Sequence, residues 1–175
     1  MSKKSTIEYI QKIVPDAYHG TTLISAGKIF KEGFNPSTGP RHWLGDGVYF
    51  HESSSYFAER EGRRAARERG LADPQIGVIC ATINLGRCLN LNTYEHAEAV
   101  KVAKENLIAR GKKDVTDAVA INFVALLEGA DVVKCSFVWK KDLKVGERLF
   151  LYNPVLICVR NTQNILSMHL HYKGY

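Results

Sequence analysis

The stretch HWLGDGVYFHESSSYFA, His42–Ala58, sets two glycines around an aspartate, continues into a short apolar run with a tyrosine at its centre, and passes through serines into a helical pattern. Gly45 and Gly47 remove side chains beside a strand that carries one amphipathic aromatic. Tyr49 is then either a core tyrosine with its hydroxyl paired or a ring presented to a ligand. Val48-Tyr49-Phe50 is the strand, and ESSSYFAEREGRRAARERG reads as a helix opened by a serine cap and closed by Gly70. Its arginines, Arg60, Arg63, Arg64, Arg67 and Arg69, thicken toward the C-terminal end, where positive charge complements the helix dipole. The same arginines could also form a strip that contacts phosphates.

Upstream, Ile7, Ile10 and Ile13 stand at helical spacing, and Pro15 switches the chain to a short strand at Tyr18-His19-Gly20. LISAGKIFKEGF has helical period from Thr22 and a C-terminal stop at Gly33, and NPSTGPR, Asn35–Arg41, is turn chemistry throughout. Downstream, Gln75–Gly86 is apolar and β-branched enough for a buried strand. Two helical patterns follow, one ended by Gly111 and a more apolar one running from a cap at Asp114 to Gly129. DVVKCSFV and RLFLYNPVLICVRN supply further strands, and NILSMHLHYKGY reads as an edge strand. Helices and strands are mixed without regular βαβ alternation, which predicts an α+β fold with largely antiparallel sheets and flanking helices.

The length of 175 residues suits one domain, 1–175, with one good core. The chain is 45% hydrophobic and 24% charged, a globular composition without the polar, low-complexity bias of disordered segments. No apolar run approaches the roughly 18 residues of a spanning helix and the start has no signal-peptide core, so a cytoplasmic protein without a membrane partner is expected. Cys80, Cys88, Cys135 and Cys158 form no C-x-x-C pair, which argues against a zinc cluster or a disulfide framework. A net charge of +6 makes a polyanionic partner plausible. His169 and His171 alternate along a strand but lack a third ligand, so no metal is expected.

His19 stands at a strand end, followed by Gly20, Thr21 and Thr22. The glycine would let a ligand approach the backbone, and the hydroxyls offer hydrogen bonds beside it. Taken alone, a histidine such as His19 is more often a satisfied structural residue than a ligand-binding one.

Together, YHGTT, GDGVYFHESSSYFA and NPVLICVRNTQ resemble the three core motifs of the ADP-ribosyltransferase fold, in the branch typified by diphtheria toxin and the poly- and mono-ADP-ribosyl transferases. The resemblance spans Tyr18 to about Gln163, and Arg87–Val138 has no assigned counterpart. It implies an ADP-ribosyltransferase-like split sheet and NAD+ as co-substrate. It further implies that His19 bonds the adenosine ribose, that the Gly20 backbone holds the nicotinamide carboxamide, that Thr21 supports the first strand, and that Tyr49 stacks on the nicotinamide ring. Ser55 and Tyr56 fall in the family's S-Y-x-A stretch. Phe57 replaces the serine that contacts the carboxamide, leaving Ser54 or Ser55 to take over. Leu156 falls at the third catalytic position, where the family usually has a glutamate, and the apolar residue implies transfer of a single ADP-ribose. Glu147 is the nearest carboxylate upstream.

The implied activity is mono-ADP-ribosyl transfer of a toxin or defence type, with an antitoxin protein as a possible partner. The acceptor would be nucleic acid, reached through Arg60, Arg63, Arg64 and Arg67, slightly ahead of protein. A non-catalytic NAD+ or ADP-ribose binding module, or a basic nucleic-acid-binding domain, are the competing readings. Chemically, cleaving the nicotinamide–ribose bond leaves an oxocarbenium-like cation, so a site that clamps both ends of NAD+ supplies positioning.

Overall fold

A computed structural model of the chain describes residues 12–39, 42–71, 75–137, 144–145, 149–150 and 153–174. Ile7, Ile10, Arg41 and Glu147 lie outside them. Strand β1 (Ile13–Thr22) runs directly into helix α1 (Leu23–Glu32). Strand β2 (Val48–Glu52) leads to helix α2 (Ser55–Glu68) and strand β3 (Ile76–Asn84). A short strand β4 (Cys88–Asn90), helices α3 (Tyr94–Ala109) and α4 (Asp117–Glu128) and strand β5 (Val132–Ser136) follow. The hairpin β6 (Lys144–Val145) and β7 (Leu149–Phe150), then β8 (Val155–Val159) and β9 (Ile165–Gly174), complete the order.

Four helices flank a seven-stranded sheet of order β4-β5-β8-β2-β1-β3-β9, an α+β fold as the sequence predicts. Every neighbouring pair is antiparallel except β4–β5. The sheet is nearly split: β1 and β2 are paired only at Ala17↔Glu52 and Tyr18↔His51, whereas β1 pairs β3 from end to end. Beyond Tyr18 the two halves part, and the motif residues His19 and Tyr49 stand at that parting.

Side-chain alternation sorts the sheet into two faces. Val48, Phe50, Ile157, Val159, Ala17, Ala81 and Ile83 share one apolar cluster. Leu156, Cys158, Val133 and Leu89 belong to a second, covered by Ile121, Val124 and Ala125 of α4, with Tyr49 packed at its margin. β8 reads as an unbroken apolar run because both of its faces are buried.

Several local expectations change. Ile13 begins β1 instead of closing a helix, and Pro15 sits in a register shift between Val14 and Ala17, where a missing N–H breaks no ladder bond. The cap of α4 is Thr116, whose hydroxyl accepts from the Val119 N–H, and not Asp114, which takes a turn conformation at φ 55°. Ser54 caps α2 by position without a side-chain hydrogen bond.

Gly20 also changes meaning. A Cβ there would lie 1.6 Å from the Ala58 carbonyl oxygen and 3.0 Å from the Gly62 nitrogen, so helix α2 itself fills the space. Gly20→Ala is therefore expected to cost about 3 kcal/mol, the upper range for overpacking against a backbone that cannot yield. Gly27→Ala, with nothing within 4 Å in an exposed helix position, is expected to gain about 0.5–1 kcal/mol. Urea midpoints of the two variants against the parent check both signs.

Candidate active site at the parting of two strands

At the parting, Nδ1 of His19 lies 2.8 Å from the carbonyl oxygen of Tyr49. A carbonyl only accepts, so Nδ1 carries the proton. In the neutral ring Nε2 is then an acceptor, suited to a hydroxyl donor. His19 is half-buried, and burial, opposed by the Tyr49 carbonyl, holds its pKa below the ordinary histidine value, which keeps the ring neutral at pH 7. Phe34 and Phe50 flank it, with ring centroids 5.2 and 5.7 Å away.

Tyr49 is fixed by its own hydroxyl, which donates to the Gly45 carbonyl (2.6 Å) and accepts from the Leu44 N–H (2.9 Å). Burial raises its pKa further from neutrality. The phenol is thus committed to the protein, and only the half-buried ring face is left for a ligand. His19 and Tyr49 meet through a backbone carbonyl and not ring to ring. The imidazole packs beside Phe50, and Tyr49 projects to the opposite face of β2. A ligand that touches both must lie across the gap where the strands separate.

The loop before Tyr49 is locked in place. Asn122 Oδ1 of α4 accepts from the Asp46 N–H (2.8 Å) and from Arg160 Nη1 (2.6 Å), and Arg160 also reaches the Asp46 carbonyl (3.2 Å). Ser37 and Gly47 exchange two backbone bonds of 3.0 Å. Gly45, at φ +81°, would bring a Cβ within 2.3 Å of Asn122 Oδ1, and Gly47 would bring one within 2.5 Å of Cys158 Sγ. The two glycines therefore seat the loop on α4 and β8; their space is taken by protein.

On Tyr49's face the site holds residues that the motif left unread. His51, two positions on, stacks on Phe57 of α2 at 5.7 Å and 26°. Phe57, the departure from the family pattern, faces inward at 9% exposure, whereas Tyr56 is 60% exposed with the Arg60 guanidinium over its ring. Nδ1 of His51 and of His42 are buried without a hydrogen-bond partner among the described residues, and the His42 ring packs edge-on to Tyr49 at 6.0 Å. Burial, then the neighbouring His19, lowers the pKa of His51 to about 4. Simple strand alternation from Tyr49 was the signal that could have found His51.

The remaining candidates fall into place around this centre. Leu156 is buried among Leu44, Leu89 and Val133, and its Cα pairs with His51 across β2–β8. It offers no functional group. Glu52, the carboxylate on β2, is held by Lys134 at 2.5 Å. Burial pushes the Cys158 thiol up to about 12, so it is no thiolate near neutrality. Thr21 is buried beside Gly62, and Ser55 is half-buried in the first turn of α2.

On the outer face of α2, Arg64 is paired with Glu61 (2.6 Å) and approaches Glu68 (3.8 Å). Arg69 turns back to Thr22 (2.9 Å) and Ser25 (2.7 Å). Arg63 and Arg67 have no carboxylate partner among the described residues. His171 packs edge-on against Tyr18 at 4.9 Å.

No family model matches the chain. An uncharacterized protein of Methanocaldococcus jannaschii is 36% identical over 84 residues, 45% of this chain, and the chain spans 38% of that protein's length. Among solved structures, the MbcT-MbcA toxin-antitoxin complex of M. tuberculosis matches with a TM-score of 0.47 and 17% identity, over 95% of this chain and 85% of that one. No helix of the described residues is long and apolar enough to cross a membrane.

Because His51 titrates near 4 in the fold and near 6.5 when unfolded, the unfolded chain binds the extra proton between those values. Stability is therefore lost as pH falls from about 6.5 toward 4, by about 2 kcal/mol at pH 5 from this residue. His19 acts in the same direction. Urea unfolding at pH 7.5 and pH 5 should show the loss, and His51→Phe, which keeps a ring against Phe57, should shrink it.

Proposed function

We propose that this chain is a mono-ADP-ribosyltransferase that cleaves NAD+ at the nicotinamide–ribose bond and transfers ADP-ribose to a macromolecular acceptor. The observation that carries the reading is the His19–Tyr49 carbonyl bond at the parting of β1 and β2, which joins the YHGTT and GDGVYF motifs at one point. NAD+ has two ribosyl units, so one end can give a hydroxyl to His19 Nε2 while the other lays its nicotinamide on the Tyr49 ring. The pre-set imidazole tautomer and the immobilised phenol supply positioning with little reorganisation. The carboxamide loses the serine contact that Phe57 replaces, and Ser54, whose side chain makes no cap bond, or Ser55, half-buried in the first turn of α2, would supply another.

The apolar third position, buried Leu156, supports transfer of a single unit. For the acceptor, Arg63 and Arg67 on the outer face of α2, with Arg60 beside Tyr56, favour a polyanion, and nucleic acid is proposed ahead of protein. A toxin or defence setting with a neutralising protein partner is the context that the motif resemblance implies. A second reading, an NAD+-binding module without turnover, is favoured by the absence of any functional group at Leu156.

Incubation with NAD+ labelled in its adenylate part, together with cell lysate, RNA and DNA, separates the two. Turnover should release nicotinamide and fix label in material removed by nuclease; label removed by protease instead reassigns the acceptor. His19→Ala and Tyr49→Ala should each lower nicotinamide release by at least about 100-fold. Binding of NAD+ with no release would sink the transferase reading.

Reversing charge at Arg63 and Arg67 to Glu should weaken acceptor modification and its salt dependence while leaving nicotinamide release to water intact. An unchanged salt response would remove these arginines from acceptor binding.

A further inference from the structure

Transfer of ADP-ribose to an oxygen or nitrogen of an acceptor sheds a proton, and that proton needs a place to go beside the reacting ribose. Around Tyr49 few groups can take it. The phenol is bound on both sides by Gly45 and Leu44, Cys158 is a buried thiol, and Leu156 is apolar. Glu52 projects to the other face and is taken up by Lys134. His19 has one ring nitrogen committed to the Tyr49 carbonyl.

His51 differs from all of these. It lies on Tyr49's side of β2, at the last pair before β1 and β2 separate, where it faces Tyr18. Its Cα is also paired with Leu156 across β8, so its ring stands beside the place where the third motif supplies only an aliphatic side chain. Its Nδ1 is buried with no partner among the described residues, although a buried imidazole nitrogen without a hydrogen bond is costly. Phe57 stacks on the ring and holds its plane.

We propose that His51 is the general base of the transfer, accepting the acceptor's proton; the assignment rests on the ADP-ribosyl reading above. In this step the bond between C1′ of the ribose and the nicotinamide nitrogen breaks, and its electron pair leaves with neutral nicotinamide. The acceptor atom forms the new bond to C1′, and its proton passes to an imidazole nitrogen of His51 and then to water. A histidine held at about 4 has the proton affinity of an ordinary carboxylate, so it can serve where a carboxylate is missing without carrying positive charge into a site that must receive a cation. The titratable groups set against it are Tyr18, its cross-strand partner on β1, and, across Leu156, Cys135 on β5; His19 acts on it through charge from the other face, and α2 brings Phe57 to the ring.

The test measures NAD+ affinity by titration and transfer rate separately. His51→Gln should lower kcat by about 100-fold or more and leave the NAD+ Kd within about threefold of the parent, with the variant's thermal transition confirming its fold. Adding Leu156→Glu to His51→Gln, which places a carboxylate directly across the strand pair, should recover at least about tenfold of the lost rate. If His51→Gln does not fold, His51→Phe keeps the stack on Phe57 and gives the same readout. An unchanged kcat, a parallel loss of NAD+ binding, or the same loss arising from His42→Gln instead would each overturn the assignment. If the unaltered protein releases no nicotinamide, the ADP-ribosyl reading falls and the base with it; an active protein indifferent to His51 overturns the base alone.

Discussion

The structure depends on one contact in which backbone meets backbone with no side chain between. Helix α2 lies so close to β1 that a Cβ on Gly20 would overlap the Ala58 carbonyl, and a Cβ on Gly62 would press on Thr21 and Ile76. Ala58, Gly62 and Ala66, at i, i+4 and i+8, form a small-residue stripe that allows this approach. The depth of α2 then sets everything around it. Phe57 reaches His51, Arg69 reaches Thr22 and Ser25 at the start of α1, and the arginines between are turned outward. A wider helix–strand spacing would loosen the stack that holds His51 and the tie between α2 and α1 together.

The opposite wall is held by polar bonds. Asn122 is half-buried on α4 and accepts both from Asp46 and from Arg160, so a side-chain amide in one helix fixes the loop that delivers Tyr49. Such a network stabilises through satisfaction: each buried acceptor has its donor, and removing one partner strands the others. It also explains why the tyrosine hydroxyl is spent on Leu44 and Gly45. The ring is held in place by its own polar end, leaving the π face as the part that can meet a ligand.

Much of this was legible in sequence where the signal is local. Thr22 and Gly33 bound α1 because a cap and a stop act within one turn, and the continuous apolar runs of β3 and β8 marked buried strands. The failures are non-local. β4 is three residues long and exists because β5 pairs with it across the two intervening helices. Pro15 looked like a break because its tolerance depends on a bulge that only the pairing with β3 creates. Thr116 and Asp114 are both good caps, and the choice between them is made by where α4 must start to cover Leu156 and Val133. His19 and Tyr49, singled out in the sequence, meet at the parting of β1 and β2, but the glycines beside them were read as room for a ligand when the room is filled by Ala58, Asn122 and Cys158. A glycine in a sequence shows that something comes close; what comes close is decided by tertiary packing.

The charges follow from the same geometry and suit the division of labour that the proposed ADP-ribosyl transfer would need. NAD+ brings a cationic nicotinamide ring, and bond cleavage moves that charge onto the ribose, so a protonated imidazole nearby would oppose both. Burial keeps His19 and His51 neutral at pH 7, and His19 adds to the cost of charging His51, so two histidines can share the parting without making it positive. Positive charge is instead carried along α2 by exposed Arg67 and half-buried Arg63, with Arg64 offset by Glu61. Under the proposed transfer, a polyanion drawn to that helix would meet the cations at its surface while the ribose lay at the neutral parting of β1 and β2. The arginines would then raise the local concentration of acceptor and leave the chemistry to groups that carry no charge until a proton arrives.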